Sequence, residues 1–147
     1  MSLLLSSELS FNPFSFYYFN LSLLHPGSHL IGALVITTPQ EVALQDIRKQ
    51  INFCKKVKIP VLGVIENMSH FTCPKCHKDS MIFKAETGGA DKLCKDLELS
   101  MLGKIPLDPR IGMCCDNGLD FLEEFPDSPA AKVYQQIVSE LQSVLNQ

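Results

Sequence analysis

The sequence predicts an α/β fold in which helices flank a mostly parallel sheet. Three short apolar runs have the composition of strands that are buried on both faces: Ile31–Ile36, Val61–Ile65 and Met101–Ile105. Segments with apolar residues at helical spacing lie between and after these runs. Because strands that alternate with helices form βαβ units, the strands should run parallel. A chain of 147 residues, 46% of them hydrophobic, is long enough for one such domain.

The helix after the first strand has a start signal in the segment Thr38-Pro39-Gln40-Glu41. We expect Thr38 to be the N-cap, Pro39 to be the first helical residue and Glu41 to complete a capping box. Pro60 follows the end of this helix. Its inward-facing stripe consists of Leu44, Ile47, Ile51 and Cys54.

Two further helices are predicted after the second strand. The turn Thr87–Ala90 leads into the helix Gly89–Leu97, and Ser128-Pro129 repeats the N-cap-plus-proline signal before the last helix. In parallel sheets, ligands bind beyond the carboxyl ends of the strands. Those ends carry Thr37-Thr38, Glu66-Asn67 and Leu107-Asp108.

Residues 1–29 form an apolar and aromatic leader whose composition differs from that of the rest of the chain. Glu8 is its only formally charged residue, and six aromatic side chains lie between Phe11 and Phe19. Polar interruptions and the lack of a basic flank argue against a membrane span or a signal peptide. We expect no membrane partner, and we expect the leader to cover part of the open edge and apolar face that a three-stranded sheet leaves.

The segment Cys73-Pro74-Lys75-Cys76 is the strongest candidate for a chemical site. Two thiolates at this spacing on a tight turn can bind one metal centre. The pattern leaves open half of a zinc site, a redox dithiol, a haem-attachment string with His77, and two buried thiols without a ligand. Pro74 and the polar residues after it favour a loop or knuckle over the strand-to-helix setting of a redox dithiol.

The other cysteines and the histidines give weaker signals. Cys54 and Cys94 lie on apolar helix faces and should be core residues. Cys114 and Cys115 are adjacent, so their side chains should point in divergent directions and not share one metal. The four histidines have no partner at ligand spacing, and we expect them to be structural or surface residues.

Two classes of function are excluded by features that the sequence lacks. The phosphate-binding pattern G-x-x-x-x-G-K-[ST] is absent. The chain has one Gly-Lys pair, Gly103-Lys104, which is followed by Ile105 and lies within a predicted strand. We therefore expect no ATP hydrolysis by this chain. The net charge of −3 gives no basic surface for nucleic acid, which we do not expect as a partner.

Several motifs occur together in one order along the chain. They are Val35–Glu41, Leu44–Asp46, Gly63–Ser69, Cys73–Cys76, Thr87–Ala90 and Leu102–Gly112. With these motifs the chain resembles the C-terminal half of the Mrp/Nbp-type P-loop ATPases, which are iron–sulfur cluster scaffold proteins. The resemblance implies that residues 30–147 form part of a SIMIBI-type P-loop NTPase-like fold.

The resemblance also implies a function. In this family a [4Fe–4S] cluster is shared between two subunits and passed to apoproteins, and its ligands correspond to Cys73 and Cys76. The family's adenine pocket for ATP corresponds in part to Asn67, Pro106, Leu107 and Asp108. We therefore expect a cytoplasmic scaffold that works with a second copy or a full-length relative, with recipient apoproteins and with assembly factors.

The chain also departs from this family. The P-loop, the switch regions and the magnesium-binding aspartate of the family's N-terminal half have no counterpart in the sequence. Two alternatives therefore stand beside the scaffold hypothesis. One is a noncatalytic interaction module that pairs with a full-length relative, and the other is a small zinc-binding domain that uses Cys73 and Cys76.

Overall fold

The fold is described from a computed structural model, which describes residues 2–6, 30–73, 76 and 78–145. Its main sheet contains β1 (Ser2–Ser6), β2 (Leu30–Thr37), β3 (Val61–Asn67) and β6 (Met101–Ile105) in the spatial order β1-β2-β3-β6. A separate two-stranded ribbon consists of β4 (Phe71–Thr72) and β5 (Asp79–Ser80). Strands β2, β3 and β6 run parallel. The three predicted strands and the mostly parallel sheet are confirmed.

Helices cover both faces of this sheet, as its apolar strands require. They are α1 (Glu41–Lys56), α2 (Gly89–Leu97), α3 (Pro109–Asn117), α4 (Phe121–Glu124) and α5 (Pro129–Leu145). Helices α1 and α2 pack with Val35 and Val64, whereas α3, α4 and α5 pack with Leu34 and Ile65. Because successive residues of a strand point to opposite faces, β2 and β3 contribute to both hydrophobic cores.

Strand β1 lies along the outer edge of β2 and runs antiparallel to it. The paired residues extend from Ser2 opposite Val35 to Ser6 opposite Leu30, with one irregularity near Ser6. This strand belongs to the predicted leader, and it pairs with the edge that the leader was expected to cover. The remainder of the leader lies outside the described residues.

The start of α1 differs from the prediction. The helix begins at Glu41 with Gln40 as its N-cap, and no side chain caps it. The Thr38 hydroxyl instead donates to the Gln40 side chain, while the Glu41 carboxylate binds Arg48 and Thr87. The predicted capping box is therefore wrong, because these side chains have other hydrogen-bond partners.

Most of the other predicted helix signals are confirmed. Helix α2 has the predicted bounds, and the Ser128 hydroxyl accepts a hydrogen bond from the Ala131 N–H at 3.1 Å at the start of α5. Helices α3 and α4, which are capped by Asp108 and Asp120, were not predicted from the sequence. Among the described residues, no helix combines the length and apolar character needed to cross a membrane.

Candidate functional site

The cysteine pair lies on the turn between β4 and β5. We call these two strands and their turn the Cys hairpin (residues 71–80). The turn is closed by the Cys73 N–H, which donates to the Lys78 carbonyl at 3.0 Å. Cys73 is half-buried and Cys76 is exposed. The predicted knuckle is thus confirmed for its described residues, while Pro74, Lys75 and His77 lie outside them.

The base of the Cys hairpin is attached to the segment that follows β6. The N–H and hydroxyl groups of Ser69 both donate to the Ile105 carbonyl, at 3.1 Å and 3.2 Å. The Leu107 N–H donates to the His70 carbonyl at 2.7 Å. Because Ser69 is buried, its hydrogen bonds are protected from water and fix the hairpin to the carboxyl end of β6.

A cleft of about 660 Å³ lies beside the Cys hairpin. Its walls come from residues 71–73, 106–110 and 124–129. Its volume lies in the range of about 300–1,000 Å³ that is common for ligand clefts. The third wall was not predicted from the sequence, although the helix start at Ser128-Pro129 lies within it.

The cleft brings one predicted cluster ligand together with most of the residues predicted to contact adenine. Cys73 lies in the same lining as Pro106, Leu107 and Asp108. Asn67 does not belong to this lining, and its side-chain oxygen accepts a hydrogen bond from the Met68 N–H at 2.9 Å. In the sheet register, however, Asn67 lies opposite Ile105, next to the Pro106 segment.

Asp108 is held by its own helix. Its Oδ1 accepts hydrogen bonds from the main-chain N–H of Arg110 at 3.0 Å and from the Arg110 Nε at 2.9 Å. Its Oδ2 accepts a hydrogen bond from the Arg110 Nη2 at 2.6 Å. The Arg110 side chain beside it holds the pKa of the Asp108 carboxyl below its ordinary value. Arg110 also lies over the Phe125 ring, 4.8 Å from its centroid. The Asp108 carboxylate is therefore part of the cleft wall and is already paired.

Replacing Asp108 by alanine should lower the free energy of unfolding by about 1–2 kcal/mol, because α3 loses its N-cap and Arg110 loses its partner. Asp108→Asn should cost less, since asparagine also caps helices. Because the folded pKa lies below the ordinary 3.8, the carboxylate stabilises the fold above that pH and this contribution disappears as the pH falls through the folded value. Urea unfolding at several pH values measures this, and equal acid sensitivity of the native chain and Asp108→Asn would contradict it.

The N-terminal end of α2 is occupied by a carboxylate of the chain itself. Glu66, 5% exposed, accepts a hydrogen bond from the Ala90 N–H at 2.9 Å and lies 3.9 Å from the Lys104 amine. The Thr87 hydroxyl, one turn earlier, donates to Glu41. This structural role of Glu66 was not predicted from the sequence. The Glu66 carboxylate fixes the turn before α2 to the end of β3. Because this carboxylate already binds the Ala90 N–H, the turn is not an open site for an anion.

The remaining cysteines are divided between the core and the surface. Cys54, Cys94 and Cys114 are buried, and Cys115 is exposed, so the predicted core positions and the divergence of the adjacent pair are confirmed. Burial, helped by nearby Asp91, raises the pKa of Cys94 to about 11. Within the part of the chain that the structure describes, no three potential metal ligands cluster together.

Comparison with known proteins decides the family. The model of the NUBPL iron-transfer P-loop NTPases, of the ParA group, matches residues 20–142. The chain belongs to this family. The resemblance inferred from its motifs is thereby confirmed.

The chain matches part of a longer curated protein. The chain is 54% identical over 118 residues to the cytosolic Fe-S cluster assembly factor NBP35 of Kluyveromyces lactis. The match covers 80% of the chain and 36% of that protein. The chain thus spans little more than a third of this curated relative.

Solved structures agree with the family fold. A nucleotide-binding protein of Archaeoglobus fulgidus in complex with ADP is 30% identical, with a TM-score of 0.53, and the match covers 60% of the chain and 36% of that protein. The cell division ATPase MinD of Pyrococcus furiosus, at 24% identity, has a TM-score of 0.60 over 78% of the chain and 44% of its own. The predicted P-loop NTPase-like fold is confirmed.

Proposed function

We propose that the chain holds a [4Fe–4S] cluster as cargo between two subunits and passes it to apoproteins in the cytoplasm. The observation that carries this proposal is the position of Cys73 and Cys76 on one exposed turn that is fixed to the sheet. The relative from Kluyveromyces lactis is named a cytosolic Fe-S cluster assembly factor, which supports both the cargo and the compartment.

The number of ligands supports sharing between subunits. A [4Fe–4S] cluster commonly takes four cysteine thiolates, whereas the Cys hairpin supplies two. A two-fold arrangement in which each subunit donates Cys73 and Cys76 completes the set with identical surfaces. The second subunit is another copy of this chain or a full-length relative, and the cluster lies at the surface, from which it can be transferred.

We propose that a nucleotide base binds near Asn67 and the segment Pro106–Asp108. The neighbouring positions of Asn67 and Ile105 in the sheet support this, as does the ADP bound by the similar protein of Archaeoglobus fulgidus. The Asp108 carboxylate is paired with Arg110, and the Asp108 carbonyl accepts a hydrogen bond from the Ile111 N–H at 3.1 Å. The sequence has no P-loop for the phosphates, so ATP should not be hydrolysed by this chain.

Anaerobic reconstitution with ferrous iron and sulfide tests the cargo proposal. We expect four irons and four sulfides per two chains, together with a dimer in sedimentation velocity, because each chain supplies half of the thiolates. A monomer that carries a complete cluster would contradict the shared site. Zinc bound in place of iron and sulfide would favour the small zinc-binding domain.

A further inference from the structure

The junction between α3 and α4 contains the dipeptide Asn117-Gly118, and no other asparagine of the chain precedes a glycine. At such a pair the main-chain nitrogen of the glycine can attack the side-chain carbon of the asparagine, because glycine has no Cβ to obstruct it. Both residues are exposed. Among the described residues, chain neighbours aside, no heavy atom lies within 4 Å of the Cβ position at Gly118. Packing therefore leaves the site accessible.

The end of α3 occupies both groups that would react. The Asn117 side-chain amide donates to the Met113 carbonyl at 2.7 Å. The Gly118 N–H donates back into the helix, to the Cys115 carbonyl at 3.3 Å. Gly118 also has the positive φ of 66° that is common at the ends of helices. The folded helix end thus keeps the amide and the nitrogen apart.

This helix end is anchored to the hydrophobic core. The Leu119 N–H donates to the Cys114 carbonyl at 2.9 Å. Cys114 is completely buried, and Phe121 at the start of α4 belongs to the same core cluster. Attack on the asparagine requires this end of α3 to open, and opening breaks hydrogen bonds that the core holds in place.

We propose that Asn117 is a deamidation site that the end of α3 holds closed. When this end opens, the Gly118 nitrogen loses its proton and forms a bond to the Asn117 Cγ. The bond between Cγ and the amide nitrogen breaks, and the leaving nitrogen takes up that proton to depart as ammonia. Water, the only co-reactant, then opens the cyclic imide at either carbonyl, which gives aspartate or isoaspartate without a change of oxidation state.

Either product should weaken the helix end that protected the asparagine. Aspartate cannot donate to the Met113 carbonyl, and its carboxylate adds to that of Asp116 at the negative end of the helix dipole. The last turn of α3 contains no basic residue to offset this charge. Isoaspartate lengthens the main chain before Gly118 and so displaces the hydrogen bond of Leu119. Modified chains should therefore accumulate with time and unfold more readily.

Mass spectrometry tests the protection without any cluster. The reduced chain is incubated in mildly alkaline buffer beside the same chain unfolded in urea and a synthetic peptide of residues 112–121. The folded chain should exchange NH₂ for OH at Asn117 about tenfold more slowly than the peptide, because only its open fraction reacts. The unfolded chain should match the peptide. A folded chain that reacts as fast as the peptide, or an unfolded chain that does not react at Asn117, would overturn the proposal.

Loosening α3 from its other end tests whether the helix controls the reaction. Asp108→Ala removes the N-cap of α3, so the helix should open more often and Asn117 should react about fivefold faster. The control Asp46→Ala removes a carboxylate on α1 that is paired with Lys49 at the surface, and it should react as the native chain does. Equal rates in these two variants would show that α3 does not hold the site closed.

Substitutions of Asn117 itself separate the site from its consequence. Asn117→Gln keeps an amide but closes the ring far more slowly, because its side chain is longer, and it should show no comparable modification at this position. Asn117→Asp carries the aspartate product in every chain and should unfold at lower urea concentration than Asn117→Gln. Modification that persists in Asn117→Gln places the site elsewhere, and equal stability of the two variants contradicts the weakening of α3.

Discussion

Replacing Cys73 or Cys76 by serine is expected to reduce the iron and sulfide content of the reconstituted chain to background and to abolish its cluster-dependent dimer. Each substitution removes one of two thiolates per subunit, and hence two of four from the shared cluster. Serine is close to cysteine in size, and because Cys76 is exposed and Cys73 only half-buried, we expect both variants to fold. Iron and sulfide analysis with sedimentation velocity measures the effect.

Cys115→Ser is the matched control for these variants. Cys115 is also exposed, but it lies on α3 and not on the Cys hairpin. This variant should bind the same iron and sulfide as the native chain and form the same dimer. If Cys115→Ser alone removes the cluster while Cys73→Ser retains it, the hairpin is not the cluster site.

Placing proline at both Leu3 and Leu4 is expected to lower the free energy of unfolding by about 2–4 kcal/mol and to cause association of the chain. Proline cannot donate to the hydrogen-bond ladder between β1 and β2, and a few such bonds contribute about 0.5–1.5 kcal/mol each. Loss of β1 also exposes the edge of Leu30–Thr37, a segment that can pair with another chain. Urea unfolding and light scattering measure the two effects.

The control for this change is Leu3→Thr/Leu4→Thr, which keeps the N–H groups and the strand preference of β1. It should remain monomeric under the cluster-free conditions of the experiment. If the proline variant is instead more stable and more soluble than the threonine variant, β1 does not protect the edge of the sheet.

The parts of the fold that the sequence predicts well are those in which one local pattern dominates. The runs at Val61–Ile65 and Met101–Ile105 are apolar on both faces, which few structures other than a buried parallel strand accommodate. Observed β3 continues through Glu66 and Asn67, whereas the predicted apolar run ended at Ile65. The carboxylate of Glu66 is tolerated there because Ala90 and Lys104 surround it, and neither partner is close in the sequence.

In the candidate site, too, the features that depend on residues distant in the sequence could not be predicted. The spacing of Cys73 and Cys76 is local, so the ligand pair and its knuckle could be predicted from the sequence. The cleft needs Phe125 to meet the Cys hairpin across more than fifty residues of chain, and this depends on how α3 and α4 pack. The prediction that Glu41 completes a capping box failed for a related reason, because the Glu41 carboxylate accepts a hydrogen bond from Thr87, 46 residues away in the sequence.

The hydrogen bond from the Leu107 N–H to the His70 carbonyl allows movement of the Cys hairpin to be followed by hydrogen exchange. This amide exchanges with solvent deuterium only when the bond between the hairpin base and the segment after β6 opens. The Cys73 amide, bonded to Lys78, exchanges only when the turn itself opens. The two exchange rates therefore distinguish movement of the whole hairpin from opening of its tip, and each can be followed in the same sample while a cluster is loaded and removed.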